Sequence, residues 1–214
     1  MKAESERERV ATALEEDIVF GRLKPRERLV EQDIMDRFET RRHVARAALE
    51  ALESRGLVER RANRGAAVRD LSEREISELY FMRELLHRAA AEQTPLPISE
   101  DILAELRTVQ ARHDAAIREE KLSEAFHQNE HFHAALNRAC GNRILEEALS
   151  VYNERTNLVR SFAFRSIESL RRSAREHHNI IDAGATNDRA AFVSAILAHV
   201  LGAKQSFLAS QAPD

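Results

Sequence analysis

The chain has 214 residues, 43% hydrophobic and 32% charged, with six Gly, four Pro and one Cys. That composition excludes a disordered chain, and so few turn-formers disfavour an all-β fold. The single cysteine, Cys140, excludes an intrachain disulfide and a Cys-rich zinc module. A net charge of −3 speaks against a nucleic-acid binder until it is resolved along the chain. Residues 37–69 carry nine Lys/Arg against four Asp/Glu, a local excess of +5, whereas residues 71–214 carry 17 against 21. The basic stretch could serve phosphate, the acidic remainder orienting it toward DNA; a solvated charged face would read the same way. No apolar run reaches the roughly 20 residues that span a bilayer. Met1-Lys2-Ala3-Glu4-Ser5-Glu6 has no apolar signal core, so the expected address is the cytoplasm.

In chain order, residues 5–20 read as a helix ended by Gly21 and followed by Pro25. Residues 31–38 form a short second helix through Ile34 and Phe38. After the break Glu39-Thr40-Arg41-Arg42, a third helix runs from about 42 to 55 and is closed by Gly56. Its apolar face of Val44, Ala48 and Leu52 leaves Arg42, His43 and Arg46 outward. Leu57–Arg61 and Ala66–Arg69, joined by Ala62-Asn63-Arg64-Gly65, read as a hairpin. This is the order of a winged helix-turn-helix over residues 1–70. Such a domain puts the third helix in the major groove, with Arg42 and Arg46 near base edges or phosphates. The turn becomes a wing, where Gly65 permits close approach and Arg64 favours a narrow minor groove.

Ser72-Glu73-Arg74-Glu75 is a capping-box pattern and opens a second, all-helical domain over residues 71–214. Six helices are expected there, at about 72–94, 99–119, 123–140, 142–164, 167–184 and 187–210. The fold class is therefore mainly α, a winged helix-turn-helix followed by a helical bundle. Three of these helices carry polar residues on apolar seams: Phe126, Asn129, His133, Leu136 and Cys140; Leu170, Ala174, His177, Ile181 and Gly184; Phe192, Ile196, His199 and Ala203. Buried polar groups need partners. A divalent transition metal (Zn, Ni, Mn or Fe) would satisfy all three imidazoles at once, and separate hydrogen bonds would satisfy them one by one. His127, His131 and His178 fall on other faces and read as surface residues. Arg83 interrupts the stripe Ile76, Leu79, Leu86 and Ala90. It calls for a bidentate anion, an internal salt bridge or a stem that snorkels outward.

The segment LKPRERLVEQDIMDRFETRRHVARAALEALESRGLVERRANRGAAVRDLS resembles the DNA-binding domain of GntR-type bacterial transcription regulators. The remainder is similar to the FCD ligand-binding domain of the FadR subgroup in its shorter, VanR-like six-helix form. The residues carrying that resemblance are Asn129-x-x-x-His133, Glu176-His177-x-x-Ile180 and His199, 22 residues after His177. The resemblance implies a homodimer that binds a pseudo-palindromic double-stranded operator and responds to a small carboxylate held beside a divalent metal. It implies metal ligands at Asn129, His133, His177 and His199 and an effector anchor at Arg83. It implies DNA contacts at Gln32, Arg41, Arg42, His43, Arg46, Arg64 and Gly65, and neither an enzyme nor a membrane partner. Departures from the family pattern are Arg26 for a turn glycine, Arg41 for serine, Val44 for proline, Ala47 for glutamate, His87 for glutamate and Asn129 for the ligand aspartate. An Asn offers no charge against M²⁺, so either metal binds more weakly and an anionic effector supplies the missing charge, or the domain is apo with a water-filled polar pocket. Two other functions remain on the residues alone: a metal-dependent hydrolase built on three histidines, and an effector-free dimerisation scaffold.

Overall fold

The protein is described from a computed structural model, which covers residues 5–61, 65–160 and 166–211. Helix α1 (Glu6–Val19) begins at Ser5, whose hydroxyl accepts the Glu8 amide. Helices α2 (Glu31–Phe38) and α3 (Arg42–Ser54) follow. The wing is a three-stranded antiparallel sheet, β1 (Arg28–Leu29), β2 (Val58–Arg61) and β3 (Gly65–Val68), in the order β1-β3-β2. The sequence suggested only the last two; two residues carry no alternation to read, and β1 exists because β3 offers a free edge. Val10, Leu14, Ile18, Ile34, Val44, Leu49, Leu52, Leu57 and Val68 join these elements in one buried cluster. Arg26 lies in the left-handed region (φ 68°), its amide donating to Val68 O at 2.9 Å and its Nε meeting Asp70 Oδ2 at 2.6 Å. A glycine would adopt that conformation without strain.

Helix α4 (Glu73–Gln93) opens with the complete capping box of Ser72 and Glu75. The bundle continues through α5 (Glu100–Arg118), α6 (Leu122–Arg138), α7 (Arg143–Arg155), α8 (Asn157–Arg160), α9 (Ile167–Gly184) and α10 (Arg189–Gln211). The expected continuous helix over 142–164 is broken at Thr156. That hydroxyl donates to Tyr152 O and Asn153 O at 2.9 and 3.0 Å, competing with the helical ladder. Residues 161–165 lie outside the described residues. Phe132, Leu106, Ile180, Phe192 and Ile196 centre the main bundle core. Gly184 permits a close contact there, since a Cβ would meet Ile98 Cδ1 at 2.7 Å.

On α4 the buried stripe differs from the expected one. Ile76, Tyr80, Arg83, His87 and Ala90 are buried, while Leu79 and Leu86 are half-buried. Both sets fit helical spacing, and hydrophobicity favours the leucines. The helix turns its polar set inward instead, and the reason lies in what that set faces.

Candidate functional site

Two groups of side chains stand out. The first is the exposed start of α3. Arg41 occupies its N-cap, and Arg42, His43 and Arg46 all face solvent. Glu31, at the start of α2, lies between the two arginines that are one turn apart, 4.0 Å from Arg42 Nε and 3.4 Å from Arg46 Nε. Exposed pairs of this kind are worth little and exchange readily for phosphate. Gln32 is exposed and donates to Asp36 at 2.8 Å. Gly65 is exposed with φ 77°, and Arg28 Nε lies 3.8 Å from where its Cβ would be, so the base of the wing carries a cation not anticipated from sequence. Arg64 lies outside the described residues.

The second group lies inside the bundle. The seams of α6, α9 and α10 bring His133, His177 and His199 together, one ligand atom of each within 4.8 Å of the others. His177 Nδ1 lies 2.8 Å from Gln110 Oε1, and His199 Nδ1 lies 2.8 Å from Glu176 Oε2. Each carbonyl or carboxylate takes the Nδ1 proton and leaves Nε2 as a lone pair. His177 Nε2 has no partner, and His199 Nε2 lies 3.2 Å from His133 Nε2. Two nitrogens on one metal at about 2.0–2.1 Å sit roughly 3.0–3.4 Å apart. The donor set therefore fits a divalent ion.

Burial holds His133 and His177 well below the ordinary imidazole range, and the nearby Arg160 guanidinium pushes in the same direction. His199 is lowered by burial too, partly offset by Glu176. Neutral imidazole is the ligating form. Asn129 is buried one turn before His133 and donates to Glu130 Oε1 at 3.2 Å, which leaves its carbonyl oxygen as the ligating atom on offer.

Residues 6–68 match the gntR family of bacterial regulatory proteins, and residues 78–202 match the FCD domain. The chain belongs to the GntR regulators that carry an FCD domain. A transcriptional regulator GntR from Rhodococcus sp. RHA1 is similar at 27% identity and TM-score 0.75, covering 94% of this chain and 96% of that one. E. coli McbR/YncC shares the fold at 18% identity and TM-score 0.81, covering 97% and 99%. No curated protein matches in sequence. These are transcription regulators rather than enzymes, which sets the hydrolase reading aside.

In this GntR regulator Arg83 adopts neither of the ordinary alternatives. It is 2% exposed, so it does not snorkel, and no carboxylate pairs with it among the described residues. Nη2 donates to Asn153 Oδ1 at 3.1 Å, the guanidinium lies over the Tyr80 ring, and Nε and Nη1 have no partner. Burial pushes its pKa down to about 10. Tyr80 Oη, His87 Nε2 and His133 Nδ1 are likewise buried and unpartnered. Helix α4, which carries Arg83 and His87, packs against α10, which carries His199.

His131 and His178 are exposed as expected, the latter 2.9 Å from Asp114. His127 is at the surface but partly covered. It is half-buried, with Nε2 2.8 Å from Glu16 of α1, because the DNA-binding region packs over that face of α6. Gln110 and His113 were missed, although both sit on the α5 seam Leu103, Leu106, Gln110, His113 and Ile117. The test applied to the other seams would have found them.

Proposed function

We propose that this regulator binds a pseudo-palindromic operator as a homodimer and responds to a small carboxylate. The carboxylate is held between Arg83 and a divalent metal on His133, His177, His199 and Asn129. The observation carrying the reading is Arg83, a buried guanidinium with two unpaired donors and no carboxylate among the described residues, on the helix that packs against the α10 of His199. A buried guanidinium demands a bidentate anion. The metal would act as a Lewis acid toward the ligand's oxygen. Gln110 and Glu176 fix the ring tautomers that present nitrogen lone pairs to it. With Asn129 neutral, the effector's own charge completes the site. The test is metal content by plasma mass spectrometry on tag-free protein. Near-stoichiometric metal is expected in the wild type, and His177→Ala should lose it. Two metal-free proteins would sink the metal part of the reading and leave an apo sensor or a scaffold.

DNA contact is proposed for Gln32, Arg41, Arg42, His43, Arg46, Arg64 and Gly65. Each phosphate-contacting arginine releases about one counterion. Arg42→Ala and Arg46→Ala are each expected to lower the slope of log affinity against log salt by about 1, measured on a duplex selected from a random library. Unchanged slopes in both would move the interface elsewhere.

The dimer surface is proposed on α4 and α7, which pack side by side. They carry Phe81, Leu85, Ile144 and Val151, four of the six large hydrophobic residues exposed among the described residues. The pairs Arg74–Glu78, Glu84–Arg88 and Arg143–Glu147 flank them and mix both signs, as a self-complementary two-fold contact requires. Phe81→Glu with Leu85→Glu is expected to sediment as a monomer without loss of helicity. A dimer persisting in that variant would place the interface on another face.

A further inference from the structure

The DNA-binding region and the bundle meet through α1, which packs on α8. A cleft of about 280 Å³ opens beside this contact, lined by Ile18, Val68, Ile76, Leu158 and Val159 among others. Across the boundary runs a chain of polar contacts. Arg55, at the C-cap of α3, donates through Nη1 to Glu15 Oε2 at 2.6 Å. Asn157 Nδ2 donates to Glu15 Oε1 at 3.0 Å, and Arg160 Nη1 donates to Asn157 Oδ1 at 2.9 Å. The same Arg160 nitrogen reaches Asn153 O at 3.5 Å, and the Asn153 side chain holds Arg83. Arg160 Nη2 donates to Glu130 Oε1 at 2.5 Å, the atom that also accepts from Asn129.

Asn153, Asn157 and Arg160 are 5%, 3% and 7% exposed. Water cannot readily replace a partner lost at those positions, so a bond broken at one has to be remade by rearrangement. We infer that Asn157 and Arg160 are positioning residues that tie the occupancy of the Arg83 and Asn129 chamber to the placement of α3. The inference rests on the proposal that the chamber takes an effector, and it adds the route. An anion drawn to the free Nε and Nη1 of Arg83 shifts the guanidinium that Asn153 holds through Nη2. Asn153 and Arg160 then readjust, and the displacement reaches Glu15 and Arg55 through Asn157. A second bridge, from Glu16 to Ser123 and His127, both 2.8 Å, ties α1 to α6 without touching this chain. It is the built-in control.

The experiment is hydrogen exchange by mass spectrometry on the full chain, which needs neither operator nor effector. Arg83→Met perturbs the chamber directly, and Zn²⁺ alone is the ligand probe. Arg83→Met is expected to change amide exchange in the last turn of α3 by about threefold or more, within the range of coupling residues. In an Asn157→Ala background that change should vanish while the local change in α4 persists. Glu16→Gln should leave transmission intact, which a merely structural latch would not distinguish. An α3 response equal with and without Asn157, or no α3 response to Arg83→Met in the wild-type background, overturns the inference. Zn²⁺ without effect alongside an intact Arg83→Met response would instead count against the metal proposal and leave the route standing.

Discussion

Replacing Arg83 by methionine is expected to stabilise the ligand-free protein while removing its response to carboxylates. A buried guanidinium without a carboxylate has given up its hydration and received in return one bond to Asn153 and the face of Tyr80. Two of its nitrogens receive nothing. Methionine has similar length, packs adaptably and carries no desolvation cost. Exchanges of buried ionic groups for apolar ones gain about 1–4 kcal/mol. The lost Asn153 bond, worth about 1 kcal/mol, offsets part of that. For a chain of this size each kcal/mol moves the melting temperature by roughly 2–4 °C. Calorimetry should therefore show a rise for Arg83→Met. Titration with citrate, as a representative carboxylate, should show affinity reduced by about thirtyfold or more, the cost of removing one partner of a buried charged pair. Arg83→Lys should restore charge but not the planar fork, and so recover little binding. A fall in melting temperature with carboxylate binding unchanged would mean that Arg83 is a structural residue.

That contrast also shows what a sequence can and cannot reveal here. The helices of the bundle follow from apolar periodicity, and two of their boundaries from the local signals Ser72-Glu75 and Gly141-Asn142. The convergence of His133, His177 and His199 was legible because each interrupts a largely apolar seam, His133 together with Asn129. Tyr80 and His87 were not, since Leu79 and Leu86 satisfy the same spacing and a hydrophobicity criterion prefers them. The inward turn of Tyr80 and His87 depends on the helices packed against α4, among them α7 and α10. The Thr156 break depends on a side-chain bond that a helical pattern does not encode. The chain from Arg55 to Arg160 joins residues more than a hundred positions apart and has no sequence signature.

Mild acid is expected to unfold the metal-free bundle, and the sign follows from the histidines. His87, His113, His133 and His177 are all held below the ordinary range, each chiefly by burial, His113 at about 4. In the unfolded chain the same rings titrate near 6.5. Between those values the unfolded state binds protons that the folded state refuses. The stabilisation is therefore complete above about pH 6.5 and is lost as the pH falls toward the folded values. Each ring contributes at most about 1.4 kcal/mol per pH unit, so four contribute about 5, against a typical total stability of about 5–15 kcal/mol. Circular dichroism of the metal-free protein should show helical signal lost cooperatively within about one pH unit below 6. His113→Leu removes one proton-accepting ring that is not proposed as a metal ligand, and should shift that midpoint to lower pH. A stability that stays flat from pH 7 to 5 would mean that these rings take up protons in the folded protein as they do in the unfolded chain. At pH 5 the resulting imidazolium groups could then hold an anion without any metal.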